Sequence, residues 1–146
     1  MATIPSLIHN TSTMTTTYED LYTSLGYLFY SIAASDGSVR PPEVEKLKQL
    51  VKEHWLPLEN SRDEFGTDAG HYIDIAFDFA NAERMGSDEA FARFRSSFME
   101  NPAQYDPSVR ELVLRTATAI SSAFAGNNKA ELTRLSELQL LFKDRT

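Results

Sequence analysis

IAASDGSVRPPEVEKLKQL, residues 32–50, is the stretch of sequence that decides the fold. An apolar segment ends in two alanines just before Asp36-Gly37, and a new helical pattern begins at Pro41. Glycine can take the left-handed backbone conformation that ends a helix. Proline suits the first position of the next helix because it has no N–H to leave unpaired. The stretch therefore predicts a helical hairpin, with Val39 packed between its two helices.

Asp36 and Glu43 are the acidic residues of this break, and they allow two interpretations. In the structural one, Asp36 accepts N–H groups of the turn and Glu43 caps the second helix. In the functional one, both bind a divalent cation. If Gly37 is position 6 of a calcium loop, Glu43 falls at position 12. Positions 1 and 3 are then Ile32 and Ala34, which cannot coordinate an ion that needs six to eight oxygens. A cation site here therefore needs waters or acids from another helix.

The rest of the chain shows helical spacing and no strand-like alternation, so we predict an all-α fold, a compact bundle of six to seven helices. Thr17, Ser87 and Asp106 are expected to cap helices. The inner faces of two later helices are predicted to carry Phe91, Phe94 and Phe98, and Leu132, Leu135, Leu138 and Phe142. The predicted helices run from about 18 to 34, 41 to 55, 71 to 85, from the Ser87 cap to just before Pro102, 107 to 124 and 129 to 143.

The third of these helices is apolar at almost every position, which predicts a central, buried helix. Its narrow polar stripe consists of His71, Asp74, Asp78 and Asn81, which share one face. Asp74 and Asp78 lie one turn apart and repel, so they need a counter-charge. We expect this stripe to meet water or to pair with basic neighbours. The alternative is a carboxylate–imidazole face for a cation.

Composition limits the classes of partner. The chain has 146 residues, no cysteine and a formal net charge of −7. This length suits one domain with a hydrophobic core. The lack of cysteine excludes disulfides and thiolate metal sites. The negative charge argues against nucleic acid and anionic lipid, and it permits a divalent cation or a basic protein partner.

The N-terminal segment Met1–Thr17 is rich in Thr and Ser and lacks the basic start and long apolar run of a signal peptide. No apolar run has the length of a membrane span, so we expect no direct membrane insertion. We predict a flexible arm over Met1–Thr17, a single domain over Tyr18–Thr146 and a cytoplasmic location.

The second half of the chain repeats the hairpin pattern of the first. Ile32-Ala33-Ala34, a break with glycine, then Glu43, Leu47 and Leu50 are matched by a second run. This spacing predicts two hairpins related by a pseudo-twofold axis. The second run consists of Ile120-Ser121-Ser122, Gly126, Glu131, Leu135 and Leu138.

These features resemble the TerB-like domains, a family named for tellurite-resistance proteins. The motif is a helix ending in small residues, a DG turn, an apolar residue and a Pro/Glu-rich helix start, here Ala33 to Glu43, and the resemblance covers roughly Tyr18 to Lys143. It implies an all-helical domain without enzyme activity, with links to stress response or membrane-associated complexes. It also implies Asp36 and Glu43 as an acidic site. The second copy departs from the pattern, because no aspartate precedes Gly126.

Two hypotheses of different classes follow. The chain is an interaction or scaffold module for a protein partner, a second copy of the chain included. Alternatively, it binds a divalent cation, Ca²⁺ or Mg²⁺, through Asp36 and Glu43 with Asp74 and Asp78. An enzyme would need a deep polar pocket lined by scattered acids. His9, His54 and His71 lie in different segments with no nucleophile–base motif, so we predict no catalytic residue and no organic cofactor.

Overall fold

The computed structural model describes residues 20–35, 39, 41–55, 69–123 and 129–144. These residues form α-helices and connecting turns with no strand, which confirms the predicted all-α bundle. A short 3₁₀ turn, Pro102–Gln104, follows the fourth helix. The helices are α1 (residues 20–33), α2 (Pro41–Trp55), α3 (Ala69–Ala82), α4 (Ser87–Glu100), α5 (Pro107–Ala123) and α6 (Lys129–Asp144).

The predicted helix boundaries on either side of the first break are confirmed. Helix α1 ends at residue 33, and Pro41 is the first residue of α2, as expected for a residue without an N–H. Val39 is partly buried and packs against the hydrophobic core. Asp36 and Gly37 lie outside the described residues. So do the proposed Thr17 cap, the Met1–Thr17 arm and the second break at Gly126, and the pseudo-twofold repeat therefore stays a prediction.

The central helix of the bundle is α1, whereas the sequence pattern had indicated α3. From Leu21 to Ala34, every residue of α1 is buried except Thr23 and Tyr27. Two serines can be buried in this helix because each hydroxyl donates to a backbone carbonyl of the same helix. Ser24 Oγ donates to the Leu21 carbonyl at 2.8 Å, and Ser31 Oγ donates to the Leu28 carbonyl at 2.6 Å. Each buried hydroxyl therefore has a partner.

Helix α3 crosses α1 at very short range. A Cβ atom placed on Gly26 would lie 2.5 Å from Ala76 Cβ and 2.6 Å from the Ile73 carbonyl oxygen. Only glycine leaves room for this approach. The buried face of α3 consists of Ile73, Ala76, Phe77 and Ala80. The opposite face remains exposed, so the prediction that α3 is buried all round is wrong.

Polar side chains tie α1 to the segments that follow α3 and α4. Tyr30 Oη donates to the Met85 carbonyl at 2.7 Å, and the Tyr30 ring meets Phe77 edge-on. Ser24 Oγ lies 2.9 Å from the buried Tyr105 hydroxyl. Burial raises the pKa of Tyr105 to about 12. The hydroxyl therefore stays protonated and forms a neutral hydrogen bond inside the core.

Helix α3 ends in a left-handed turn built without glycine. Arg84 has φ 52°, the Met85 N–H bonds to the Ala80 carbonyl, and the Arg84 N–H bonds to the Asn81 carbonyl. This pair of bonds is the Schellman pattern, which satisfies the free carbonyls of a helix end. The turn brings Met85 into the core against α1.

The expected cap of α4 is wrong, while that of α5 is confirmed. The N-cap residue of α4 is Gly86, which offers no side chain, and Ser87 is the first residue of the helix. At α5, Asp106 Oδ1 accepts the Val109 N–H at 2.9 Å and so acts as the cap. The difference arises because the Ser87 hydroxyl donates to the Ser31 carbonyl of α1 at 2.6 Å.

The inner face of α4 is confirmed, but that of α6 is shifted. Phe91, Phe94 and Phe98 are buried. Among the α6 side chains that the structure describes, Arg134, Leu138 and Phe142 are buried, whereas Leu132 is 48% exposed. The core combines apolar side chains from all six helices, and its largest fully buried members are Trp55, Tyr105, Phe29, Phe77, Phe94 and Phe98.

The α1–α3 crossing predicts that Gly26→Ala lowers the free energy of unfolding by about 2 kcal/mol, because overpacking outweighs alanine's better helix propensity. Chemical denaturation measures the change. Gly86→Ala is the matched control, since no atom lies within 4 Å of a Cβ there and φ is −69°. The control should cost less than about 1 kcal/mol, the loss expected when alanine replaces glycine at an N-cap. Equal costs for the two substitutions would contradict the crossing.

Candidate functional site

The structure describes only half of the predicted acidic site. Asp36 and the side chain of Glu43 lie outside the described residues, although the backbone of Glu43 belongs to α2. Asp74 and Asp78 are described, and both belong to α3. The cation hypothesis for the first hairpin therefore stays a prediction, and the geometry below concerns the α3 pair.

A lysine of α2 supplies the counter-charge that the two aspartates of α3 require. Lys48 Nζ donates to Asp78 Oδ2 at 2.9 Å, and the Asp78 side chain is 52% exposed. This hydrogen bond raises the pKa of Lys48, although partial burial opposes it. The expected pairing with basic neighbours is thus present between α2 and α3.

Asp74 lies deeper in the same contact. Its Oδ1 is buried and accepts no hydrogen bond. Burial raises the pKa of Asp74 to about 6, and repulsion from Asp78 adds to it, while Lys48, Lys52 and His71 act in the opposite direction. Burial therefore outweighs the nearby positive charge at this carboxylate.

The carboxylate oxygens that the structure describes in this region do not suit the binding of a Ca²⁺ or Mg²⁺ ion. Lys48 already occupies Asp78 Oδ2, and Asp74 Oδ1 is closed off from solvent. Among the described residues, no three His, Cys, Asp or Glu side chains lie close enough to hold a metal ion. Two carboxylates with one neutralising lysine fall well short of the oxygens that Ca²⁺ requires.

The solvent side of α3 carries an apolar pair that the sequence pattern assigned to the core. Ile75 is 52% exposed and Phe79 is 46% exposed. They lie one turn apart on the same side of the helix, so their side chains are neighbours. We call Ile75 and Phe79 the α3 face. Isolated apolar residues are normal on surfaces, but two large ones on a helix that is apolar nearly all round form a local contact patch.

A shallow surface pocket of about 190 Å³ adjoins the α3 face. Both signs of charge surround it, and Glu89 pairs with Arg93 at 3.1 Å. The Arg93 guanidinium also lies 5.3 Å from the centre of the Tyr27 ring of α1. The pocket therefore joins an apolar anchor to charged groups at its rim, an arrangement found in protein interfaces. Its lining residues are Phe79, Glu83, Arg84, Met85, Glu89 and Arg93.

A buried arginine joins α6 to the first turn of α4. Arg134 is 8% exposed, and its guanidinium lies 4.8 Å from the centre of the Phe91 ring. It donates to Asp88 Oδ1 at 2.6 Å, to Glu137 Oε1 at 2.9 Å and to Ser87 Oγ at 3.0 Å. Two carboxylates at the N-terminal end of α4 and on α6 thus neutralise it.

Two open cavities of about 540 and 550 Å³ flank this arginine. Acids and bases are balanced along their walls, so neither has the field of one sign that would favour an ionic ligand. Sequence reasoning missed Arg134 because it assigned the inner face of α6 to leucines. The available signal was its spacing of four and eight residues from Leu138 and Phe142, both buried.

Comparisons of the chain with protein-family models, with curated proteins and with solved structures gave no match. The TerB-like resemblance therefore stays a hypothesis based on the residues of the first hairpin. In the part of the chain that the structure describes, no helix combines the length and apolar content needed to cross a bilayer.

The Arg134 contacts predict that Arg134→Ala lowers the free energy of unfolding by about 2 to 3 kcal/mol, since it removes charge-assisted hydrogen bonds and ring packing. Urea denaturation measures this change. Arg95→Ala is the matched control, an exposed arginine at one of the flanking cavities. We expect that control to change stability by less than about 0.5 kcal/mol. If Arg95→Ala costs as much as Arg134→Ala, the junction does not stabilise the fold.

The cation hypothesis predicts that Ca²⁺ or Mg²⁺ stabilises the chelator-stripped protein. An ion at 100 times its dissociation constant should raise Tm by about 5 to 10 °C. Asp36→Asn and Glu43→Gln should each abolish the rise, whereas Asp78→Asn, at the lysine-paired carboxylate, should leave it. Thermal unfolding with and without each ion measures this change in Tm for the wild type and the three variants. A flat response to both ions rejects cation binding at the first hairpin.

Proposed function

We propose that this chain is a non-enzymatic, TerB-like interaction module that binds a protein partner through the α3 face, as part of a cytoplasmic stress-response or membrane-associated complex. The observation that carries the proposal is the half exposure of Ile75 and Phe79 on a helix with apolar residues on nearly all sides. One side of that helix packs against α1. The other side is the docking surface.

The energetics of the face support this proposal. Full burial of an Ile or Phe side chain contributes about 1.5 to 3 kcal/mol, and about 1.4 kcal/mol corresponds to a tenfold change in affinity. Covering the exposed halves of Ile75 and Phe79 therefore contributes about 1.5 to 3 kcal/mol for the pair, or about ten- to a hundredfold in affinity. The neighbouring Glu89–Arg93 pair gives the rim the polar groups that set orientation.

The α3 face predicts site-specific crosslinking. A photo-reactive phenylalanine analogue placed at Ile75 or Phe79 should trap the partner in cells, whereas the same analogue at Leu132 or Leu140 should not. These α6 leucines are the matched controls, because they are 48% and 60% exposed. The trapped protein, once purified, should bind the wild-type chain directly. A crosslink between two copies of the chain would show that the partner is a second copy, so that the chain forms a homodimer.

Binding by the trapped protein should weaken at least tenfold in the double variant Ile75→Gln with Phe79→Gln, because the apolar anchors are lost. Leu132→Gln with Leu140→Gln should bind like wild type. Glutamine favours helix, so both variants should keep the wild-type circular dichroism. Equal trapping from α3 and α6, or unchanged affinity of the α3 variant, would show that the face is not the docking surface.

A further inference from the structure

Asp74 has a buried carboxylate oxygen, and the lysine beside it is hydrogen-bonded to a different carboxylate, that of Asp78. Asp74 Oδ1 is buried and accepts no hydrogen bond. Lys48 of α2, whose charge acts on Asp74, donates its hydrogen bond to Asp78 at 2.9 Å. A buried carboxylate oxygen without a donor is costly when ionised. Neither the interaction proposal nor the core packing uses this group.

The charged surroundings of Asp74 come from two helices in the described part of the chain. Helix α2 presents Lys48 and Lys52, with Glu45 acting on Lys48. On α3 itself, His71 and Asp78 lie one turn to either side. Helix α1 also packs on α3, but its described residues include one charged side chain, Asp20, which faces Glu100 of α4.

A proton on Asp74 would relieve both costs at once. It removes the negative charge from the buried oxygen and ends the repulsion from Asp78 one turn away. Lys48 then serves a single carboxylate, and its bond to Asp78 holds α2 against α3 without competition. Neutralisation of this one group therefore favours the observed packing.

We propose that Asp74 makes the α2–α3 contact sensitive to pH, so that uptake of a proton in mildly acidic solution strengthens the packing of the two helices. This pH response does not require a partner at the α3 face. It lets the bundle gain stability from this site under conditions in which ion pairs elsewhere begin to weaken.

The direction follows from the shift of the group. The pKa of Asp74 is raised from its ordinary value of 3.8 to about 6 in the folded chain. A carboxyl that binds its proton more tightly when folded stabilises the fold fully below pH about 3.8, and this contribution is lost as pH rises through about 6. Stability from this group therefore increases as pH falls from 7.5 to 5.

The test compares thermal unfolding of wild type and Asp74→Asn from pH 7.5 to pH 5. Asparagine keeps the shape and cannot ionise. At pH 7.5 the variant should unfold about 3 to 6 °C higher than wild type, and at pH 5 this gap should shrink to about half. A gap that does not change with pH, or one that widens toward pH 5, would overturn the proposal.

Two further measurements isolate the group. Imidazoles titrate in the same range in general, so His71→Gln is the control and should keep the pH-dependent gap. If His71→Gln removes the gap, the imidazole is the sensor and the proposal fails. Carboxyl ¹³C NMR of the intact protein should show Asp74 titrating near pH 6. A midpoint near pH 4 would reject the proposal directly.

Discussion

Helix α3 passes α1 so closely at Gly26 that no side chain fits between them. This approach fixes the depth at which α3 lies on the bundle. It places the α3 aspartates beside Lys48 of α2, and it turns the opposite side of α3 toward solvent. The same crossing leads into the turn at Arg84, which carries Met85 back against Tyr30 of α1. The positions of the acidic pair and of the apolar face therefore both follow from one small residue.

An apolar helix has two physical outcomes that its own sequence does not distinguish. It can be covered on all sides by the rest of its chain, or it can keep one side for another molecule. Helix α3 is not covered on all sides, because Ile75 and Phe79 remain about half exposed. Helix α1, with buried serines, a glycine and several aromatics, takes the central place instead. Hydroxyls bonded to their own helix backbone made this possible, because they remove the cost of burying polar groups.

Much of the fold was predictable from the sequence, because helix boundaries depend on local chemistry. Pro41 and the Asp106 cap mark starts that a single chain segment dictates. The features that sequence reasoning missed depend on distant partners. The Ser87 hydroxyl bonds to α1 instead of capping its helix, and Arg134 takes a buried place because two carboxylates meet it there. At the candidate site, helical spacing placed Asp74 and Asp78 together, but it could not identify Lys48 as their counter-charge.

The missing side-chain cap at α4 links the folding of two helices that are far apart in sequence. Gly86 leaves the first turn of α4 without an internal acceptor, and Ser87 is held by α1 and by Arg134 of α6. The first turn of α4 therefore depends on α6 being docked. Phe142 of α6 also contacts the Phe94 and Phe98 rings deeper in α4, so loss of α6 would remove contacts along the whole inner face of α4. These shared contacts couple α4 to α6, and we expect hydrogen exchange in the two helices to report one common opening free energy.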